Sequence, residues 1–286
     1  MPEGHTLHRL ATALDGAFAG QQLRVSSPQG RFADSAALLD GRVLEGAESW
    51  GKHLWLRFAG GDLVHVHLGL YGKFDVHPDV PVVPAPVGQV RLRLVSRTAY
   101  ADLRGATACE LQTPEERAAI VARLGPDPLR PDADGGAAYE RIRRSRAPLG
   151  GLLMDQSVVA GIGNVYRAEL LFRHRLDPMR PGTSVRPGRW AELWDDLVGL
   201  MAAGVREGVI RTVRPEHLTQ EELTNGQRVS YVYRRAGEPC RVCGTRVRTA
   251  ELQGRNLYWC PRCQPRFPLA RRTVIATGPT DAREQR

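Results

Sequence analysis

Four of the five cysteines fall in two close pairs, Cys240-Arg-Val-Cys243 and Cys260-Pro-Arg-Cys263, separated by sixteen residues. Each pair lets two thiolates approach one ion from a single tight turn. Two such turns on a hairpin complete a closed tetrahedral zinc site that leaves no coordination position open for catalysis. Zinc in small modules of this kind contributes on the order of 10–16 kcal/mol of apparent binding energy, so this segment is expected to need one structural Zn2+ to fold. The fifth thiol, Cys109, sits in the strand-like run Thr107-Ala-Cys-Glu-Leu111 and reads as a buried structural residue rather than a nucleophile.

The remaining 240 or so residues are long enough to bury their own cores, at 42% hydrophobic over the 286-residue chain. Leu7, Leu10, Ala11, Leu14 and Phe18 recur at helical spacing, predicting a helix that begins immediately after Pro2 and Glu3. From about 21 to 112 the pattern turns to short β-rich runs between Gly and Pro signals, namely 42–50, 53–58, 63–68, 90–95 and 99–103, which suggests an antiparallel sandwich or barrel. The Pro-rich stretch 78–86 reads as a surface loop, and 126–136 as a linker between domains. Helical spacing resumes from Tyr139 to about Arg206. The expected fold is α+β and multidomain: an N-terminal β-sandwich domain with a leading helix over 1–125, a helical domain over 137–231, a zinc module over 232–275 and a disordered tail over 276–286. No internal repeat is visible.

Charge narrows the partner. Forty basic against 31 acidic residues give +9, and residues 240–286 hold ten arginines against three acids, +7 of that total. A concentrated basic end attracts polyanions, and with no amphipathic basic helix or long apolar run, nucleic acid is favoured and a membrane is not. The N-terminus lacks the basic and apolar regions of a secretory signal, so a cytoplasmic, nucleoid-associated location is expected. Only Lys52 and Lys73 carry a side-chain amine.

Within Leu152 to Glu169, Gly161 and Gly163 stand two apart just before a helix that opens at Asn164. Two glycines permit a tight turn and close backbone approach, and free N–H groups with an Asn amide at a helix start suit a phosphate oxygen. The alternative is that Asn164 only caps its helix.

Three motifs taken together, Pro2-Glu3-Gly4 at the N-terminus, Gly161-Ile-Gly-Asn-Val-Tyr-Arg-Ala-Glu169, and Gly254-Arg255 leading into Tyr-Trp-Cys-Pro-Arg-Cys-Gln264, resemble the formamidopyrimidine-DNA glycosylase and endonuclease VIII family over about residues 1–275. The resemblance implies a two-domain enzyme whose β-sandwich half and helix-two-turn-helix plus zinc-finger half clamp damaged double-stranded DNA. Independently of it, removal of Met1 would make Pro2 a secondary amine with a pKa near ~8, appreciably neutral at neutral pH, unlike a free lysine near ~10.4. Attack on deoxyribose C1′ would expel a damaged base and leave an iminium, whose acidified C2′ proton opens β-elimination. The resemblance implies that Glu3 shuttles protons there, that Lys52 holds phosphate and assists elimination, and that Arg255 grips the lesion phosphate and supports δ-elimination. It further implies that His67 and, less directly, Arg123 contact DNA, that Leu70 and Tyr71 fill the hole left by an extruded nucleotide, and that Asn164 contributes to the DNA face.

The Pro-Glu-Gly start and Leu70-Tyr71 look like the endonuclease VIII branch, which excises oxidised pyrimidines. Asp102-Leu-Arg-Gly-Ala106 lacks the Arg-Phe pair of the purine-lesion branch. Two departures stand out: His5-Thr6 replaces the branch's Pro-Glu and removes a carboxylate, and Gly69 replaces a wedge glutamine. The expectation is a monomeric bifunctional glycosylase/lyase. The competing readings are an 8-oxoguanine/formamidopyrimidine glycosylase and a non-catalytic damaged-DNA-binding protein.

Overall fold

Leu7, Leu10, Ala11, Leu14 and Phe18 form the buried face of the first helix, α1 (Gly4–Phe18), in the computed structural model of the chain, which describes residues 2–224 and 229–268. The expected tail 276–286, and residues 269–275 of the expected zinc module, lie outside the described residues.

After α1 the chain forms β1 (Arg24–Ser26), α2 (Ala33–Leu39), β2 (Leu44–Trp50), β3 (His53–Phe58), β4 (Leu63–His67), β5 (Lys73–His77), β6 (Val90–Val95), β7 (Tyr100–Arg104) and β8 (Ala108–Gln112). Two four-stranded antiparallel sheets result, ordered β1-β6-β7-β5 and β2-β3-β4-β8. Leu54, Leu56, Val64 and Val66 from one sheet and Leu92, Leu94, Ala101 and Leu103 from the other share a single apolar core with α1, which is the expected sandwich. Such alternating burial is what a half-covered antiparallel sheet requires.

Three elements inside this region were not legible as such, the first being β1, only three residues long with one buried side chain. Helix α2 is seven residues long and buries only Ala36 and Leu39, too few to display a helical period. Strand β5 is an edge strand whose Phe74 is its one buried side chain. A third helix, α3 (Pro114–Val121), buries nothing, yet carries a capping box: Glu116 N–H donates to Thr113 Oγ1 and Thr113 N–H to the Glu116 carboxylate.

The helical half comprises α4 (Gly135–Arg143), α5 (Leu149–Leu152), α6 (Asn164–Arg173), α7 (Pro187–Glu207) and α8 (Gln220–Thr224), followed by the hairpin β9 (Arg248–Leu252) and β10 (Arg255–Trp259). Cys240, Val247, Tyr258 and Cys260 belong to the same apolar cluster as α6 and α7, so the hairpin is docked on the helices rather than tethered to them. Gln264 reinforces this docking, its amide accepting from Cys260 N–H and donating to the Leu176 carbonyl. The segment between the halves is a fastened strap. Asp127 is fully buried within it, Trp50 donates to the Gly125 carbonyl, and Arg130 lies 4.2 Å over the Trp50 ring.

Candidate active site

The N-terminal segment is plugged into the start of α6. Glu3, fully buried, accepts from Gly163 N–H at 2.9 Å, Val165 N–H at 2.8 Å and Tyr166 N–H at 3.4 Å, while Gly4 N–H donates to the Gly161 carbonyl at 2.8 Å. A helix start presents unpaired N–H groups and a positive dipole end, so a carboxylate from a remote segment is a fitting cap. The glycines of the motif are explained by this fit: a Cβ on Gly163 would lie 2.4 Å from Glu3 Cδ, and Gly161 has φ +90°. The helix-start donors are therefore taken by Glu3 rather than left open to a phosphate.

Nor does Asn164 cap α6; Gly163 is the N-cap, and no side-chain cap bond forms there. Instead the Asn164 amide donates to the Asn256 carbonyl at 3.0 Å and accepts from Arg167, tying α6 to the β9–β10 hairpin. Arg167, fully buried, also donates to Asn256 O at 2.9 Å, and burial brings its guanidinium down to about 10, with Glu3 opposing and Arg255 reinforcing that effect.

Lys52 arrives from the β2–β3 turn. Gly51 has φ +58° and packs so closely that an added Cβ would lie 3.0 Å from Ala160 Cβ. Its N–H donates to Asp127 Oδ2 at 2.7 Å, the same oxygen that receives His8 Nε2 at 2.7 Å, while Asp127 Oδ1 accepts from Leu129 N–H at 3.0 Å. The ammonium of Lys52 then donates to the Ile162 carbonyl at 2.5 Å, where Gln156 Nε2 also donates at 3.0 Å. Burial lowers the Lys52 pKa from its ordinary value, Glu3 pulls it up and Arg255 pushes it down. Asp127, Gln156 and Arg167 were not singled out from the sequence; Arg167 stood within the Gly161–Glu169 motif without a role, and Asp127, between two prolines, and Gln156, between Asp155 and Ser157, carry no local signal of their partners.

These residues converge. Pro2, Lys52, His67, Arg167, Gln156 and Arg255 border one cleft of about 480 Å³, and Pro2 also borders a second hollow of about 780 Å³ with Thr6, Arg9, Leu70 and Tyr71. Arg255 reaches the cleft because Gln253 and Gly254, at φ +52° and +69°, make a two-residue hairpin turn of the kind that favours positive φ at both positions.

Leu70 and Tyr71 project at the tip between β4 and β5, 45% and 86% exposed. The tip is glycine-dependent: Gly69 has φ +66°, and a Cβ there would meet Thr107 Oγ1 at 1.9 Å. Arg123 is exposed beyond α3, and its positive charge acts on His53 through space. His5 is not in the cleft; its ring packs edge-on against Tyr166 at 5.4 Å. Cys109 is buried, and burial pushes its thiol up to about 12 against the opposing effect of Arg91, which suits a structural role.

The four sulfurs of Cys240, Cys243, Cys260 and Cys263 all lie within 4.8 Å of one another, with Cys240 to Cys263 at 3.9 Å and Cys243 to Cys260 at 3.5 Å. Tetrahedral coordination with Zn–S of ~2.3 Å places sulfurs ~3.8 Å apart, so this set fits one structural zinc.

Three family profiles match in chain order: the formamidopyrimidine-DNA glycosylase N-terminal domain over residues 1–109, the formamidopyrimidine-DNA glycosylase H2TH domain over 124–214, and the zinc finger found in FPG and IleRS over 237–266. The chain is 58% identical over 268 residues to Endonuclease 8 1 of Mycobacterium tuberculosis, covering 92% of this chain and all of that protein. It is 35% identical to the DNA-(apurinic or apyrimidinic site) lyase Nei2 of Mycolicibacterium smegmatis, over 92% of this chain and 99% of that one. Its fold is similar to that of Lactococcus lactis Fpg solved with abasic-site DNA, with a TM-score of 0.76, 21% identity and coverage of 92% and 100% of the two chains.

Proposed function

The chain belongs to the formamidopyrimidine-DNA glycosylase and endonuclease VIII family, a DNA glycosylase and abasic-site lyase of base excision repair, and from that premise we propose that it excises oxidised pyrimidines through Pro2. The observation that carries this reading is the position of Pro2 at the border of both hollows, with Lys52, His67 and Arg255 around the smaller one.

In this reading the Pro2 nitrogen, freed by loss of Met1, attacks C1′ of the damaged nucleotide. The C1′–N bond to the base breaks, and the base leaves with its electron pair and takes up a proton; the Pro2 nitrogen gives up its own proton, the C1′–O4′ bond then breaks with O4′ taking a proton, and an iminium joins Pro2 to the opened sugar. That cation acidifies the C2′ proton; its removal expels the 3′ phosphate, and a second elimination expels the 5′ phosphate. Glu3, adjacent to Pro2 and held in place by three N–H donors, takes up and returns protons at the sugar or base. Lys52, with its pKa lowered by burial, gives up its proton more readily than a solvated lysine, which suits abstraction at C2′. Arg255 receives the lesion phosphate and stabilises its departure, while Leu70 and Tyr71 occupy the gap in the stack. His67, Arg123 and Asn164 complete the DNA face, Asn164 by fixing the hairpin that presents Arg255. The zinc holds that hairpin and takes no part in the chemistry.

The preference for pyrimidines rests on the absence of a second wedge. Asp102 is buried and paired with Arg93 and Arg104, and Gly105, at φ +62°, turns directly into β8 beneath Tyr71, so no loop projects there to carry an Arg-Phe pair. Borohydride trapping on two matched duplexes, one with thymine glycol and one with 8-oxoguanine opposite cytosine, tests the reading. A faster adduct on thymine glycol that disappears in Pro2→Gly is expected. A preference for 8-oxoguanine would move the protein to the purine branch, and tight binding with no adduct would leave the binding-only alternative. A monomer is proposed, to be read from sedimentation. No helix among the described residues is long and apolar enough to cross a membrane.

A further inference from the structure

The outward face of the β2-β3-β4-β8 sheet carries an arrangement the reaction above does not use. Strand alternation sends Leu54, Leu56, Val64, Val66 and Cys109 into the core. His53, Trp55, His65, His67 and Gln112 therefore share the opposite face. Trp55 is nonetheless fully buried there, because Arg117, paired with Glu48, lies over its ring at 5.3 Å.

These side chains form a hydrogen-bonded series with a single polarity. The Trp55 indole N–H can only donate, and it donates to Gln112 Oε1 at 3.1 Å. The Gln112 amide is thereby turned so that its Nε2, also a donor, faces His65 Nδ1 at 3.3 Å, which must accept. His65 then carries its proton on Nε2 and gives it to His53 Nδ1 at 2.9 Å. A neutral His53 in turn carries its own proton on Nε2. The two imidazoles are tilted by only 18° with centroids 5.1 Å apart, and both lie against the Trp55 indole at 5.2 and 5.6 Å, so the pair is held edge to edge on an aromatic platform.

The far end of the series is open. His53 Nε2 has no protein acceptor among the described residues; the His67 ring lies 5.2 Å from the His53 ring, and the positive charges of Arg123 and Lys52 act on His53 through space. A fixed donor in the field of two positive charges calls for an acceptor that is anionic and comes from outside the protein.

We propose that His53 is a further DNA-binding residue, a neutral imidazole whose Nε2–H donates to a backbone phosphate beside those held by Lys52 and Arg123, with Trp55, Gln112 and His65 acting as positioning residues that set its tautomer. Neutrality is consistent with the surroundings: burial, then His65, His67, Arg123 and Lys52, brings His53 down to about 3, and burial with His67 brings His65 down to about 4. An uncharged donor adds affinity while releasing no counterion, which separates it experimentally from its cationic neighbours. The inference rests on the duplex-binding face read above.

The test uses the zinc-loaded full chain and a short duplex carrying a tetrahydrofuran abasic analogue, titrated from low to high salt. His53→Phe keeps a ring on the platform and removes the donor. It is expected to weaken binding about tenfold at every salt concentration, the scale of one hydrogen bond to a charged group, with the slope of log K against log salt unchanged. His53→Gln, which restores an N–H, should recover most of the loss, whereas Arg123→Ala should reduce the slope by ~0.9. In the free wild-type protein, two-bond 15N–1H histidine spectra at pH 7 should show His53 and His65 both as Nε2–H tautomers. Wild-type affinity in His53→Phe, a slope reduced by a full charge, or a doubly protonated or Nδ1–H His53 would each overturn the proposal. A folded wild type that fails to bind the duplex would overturn the DNA-face reading and this contact with it, and the tautomer spectrum would show whether the series itself exists.

Discussion

Removing the Asp127 carboxylate should both soften the junction of the two halves and slow the lyase step. In Asp127→Ala the Gly51 and Leu129 N–H groups and His8 Nε2 lose their acceptor. Gly51 is buried, whereas the His8 side chain is 17% exposed and can turn to water. At about 1–3 kcal/mol for a buried donor left unpaired, and less for the half-buried Leu129 N–H, the two backbone groups together imply a loss of about 3 kcal/mol. For chains of this size that is a drop in Tm of roughly 6–12 °C. Asp127→Asn should recover only part of it, since either orientation of the amide turns its NH2 toward one of the two backbone donors. The catalytic consequence follows from Gly51: its bond to Asp127 fixes the turn from which Lys52 reaches Ile162 O. Displacements of about 1 Å at a reacting group can cost ~100-fold, so cleavage of a pre-formed abasic duplex should slow by about 10- to 100-fold. Calorimetry gives the first quantity and single-turnover cleavage the second. An Asp127→Ala protein that melts like the wild type would refute the stability argument. One that melts lower but cleaves at the wild-type rate would refute the link to Lys52.

Tyr71→Ala should leave the stability within about 0.5 kcal/mol of wild type, because the ring is 86% exposed, yet slow excision from a fully paired duplex by about tenfold. Excision from single-stranded substrate, where no stack must be refilled, should change little. Chelating the zinc should release the β9–β10 hairpin and abolish strand cleavage with it, and because Cys240, Tyr258 and Cys260 pack in the helical core, the helical half should melt earlier, as zinc content followed alongside calorimetry would show. Asp196 gives a pH signature. Burial alone would raise its carboxyl, but hydrogen bonds from His174 and Arg173 outweigh that and hold it well below the usual carboxylate range. A depressed folded value stabilises the protein above the unfolded pKa of ~3.9, and that contribution is lost as pH falls below it. Asp196→Asn should therefore melt lower than wild type at pH 7, with the gap closing below about pH 4; a gap independent of pH would show that the ion pair is not the cause.

What could be read along the chain was whatever is decided by neighbours in sequence. The apolar spacing of Leu7 to Phe18 makes α1, the alternation of His53 to Phe58 and Leu63 to His67 makes β3 and β4, and the two cysteine pairs bring four sulfurs together within one hairpin. The same locality explains the omissions, since α3 shows only a cap and no buried face, and β5 only one buried side chain. The motif residues around the cleft were visible as types in order, but their partners were not. Glu3 closes the start of α6 across some 160 positions, Asp127 ties Gly51 to His8, and the polarity of the His53–His65 pair depends on Gln112 from another strand. Periodicity and spacing report the forces acting within a few residues, burial of one face and closure of one turn. Which buried donor meets which acceptor is settled only when packing brings distant segments to hydrogen-bond range, and in this protein that choice turned a glycine-flanked helix start from an open anion site into the socket of its own N-terminus.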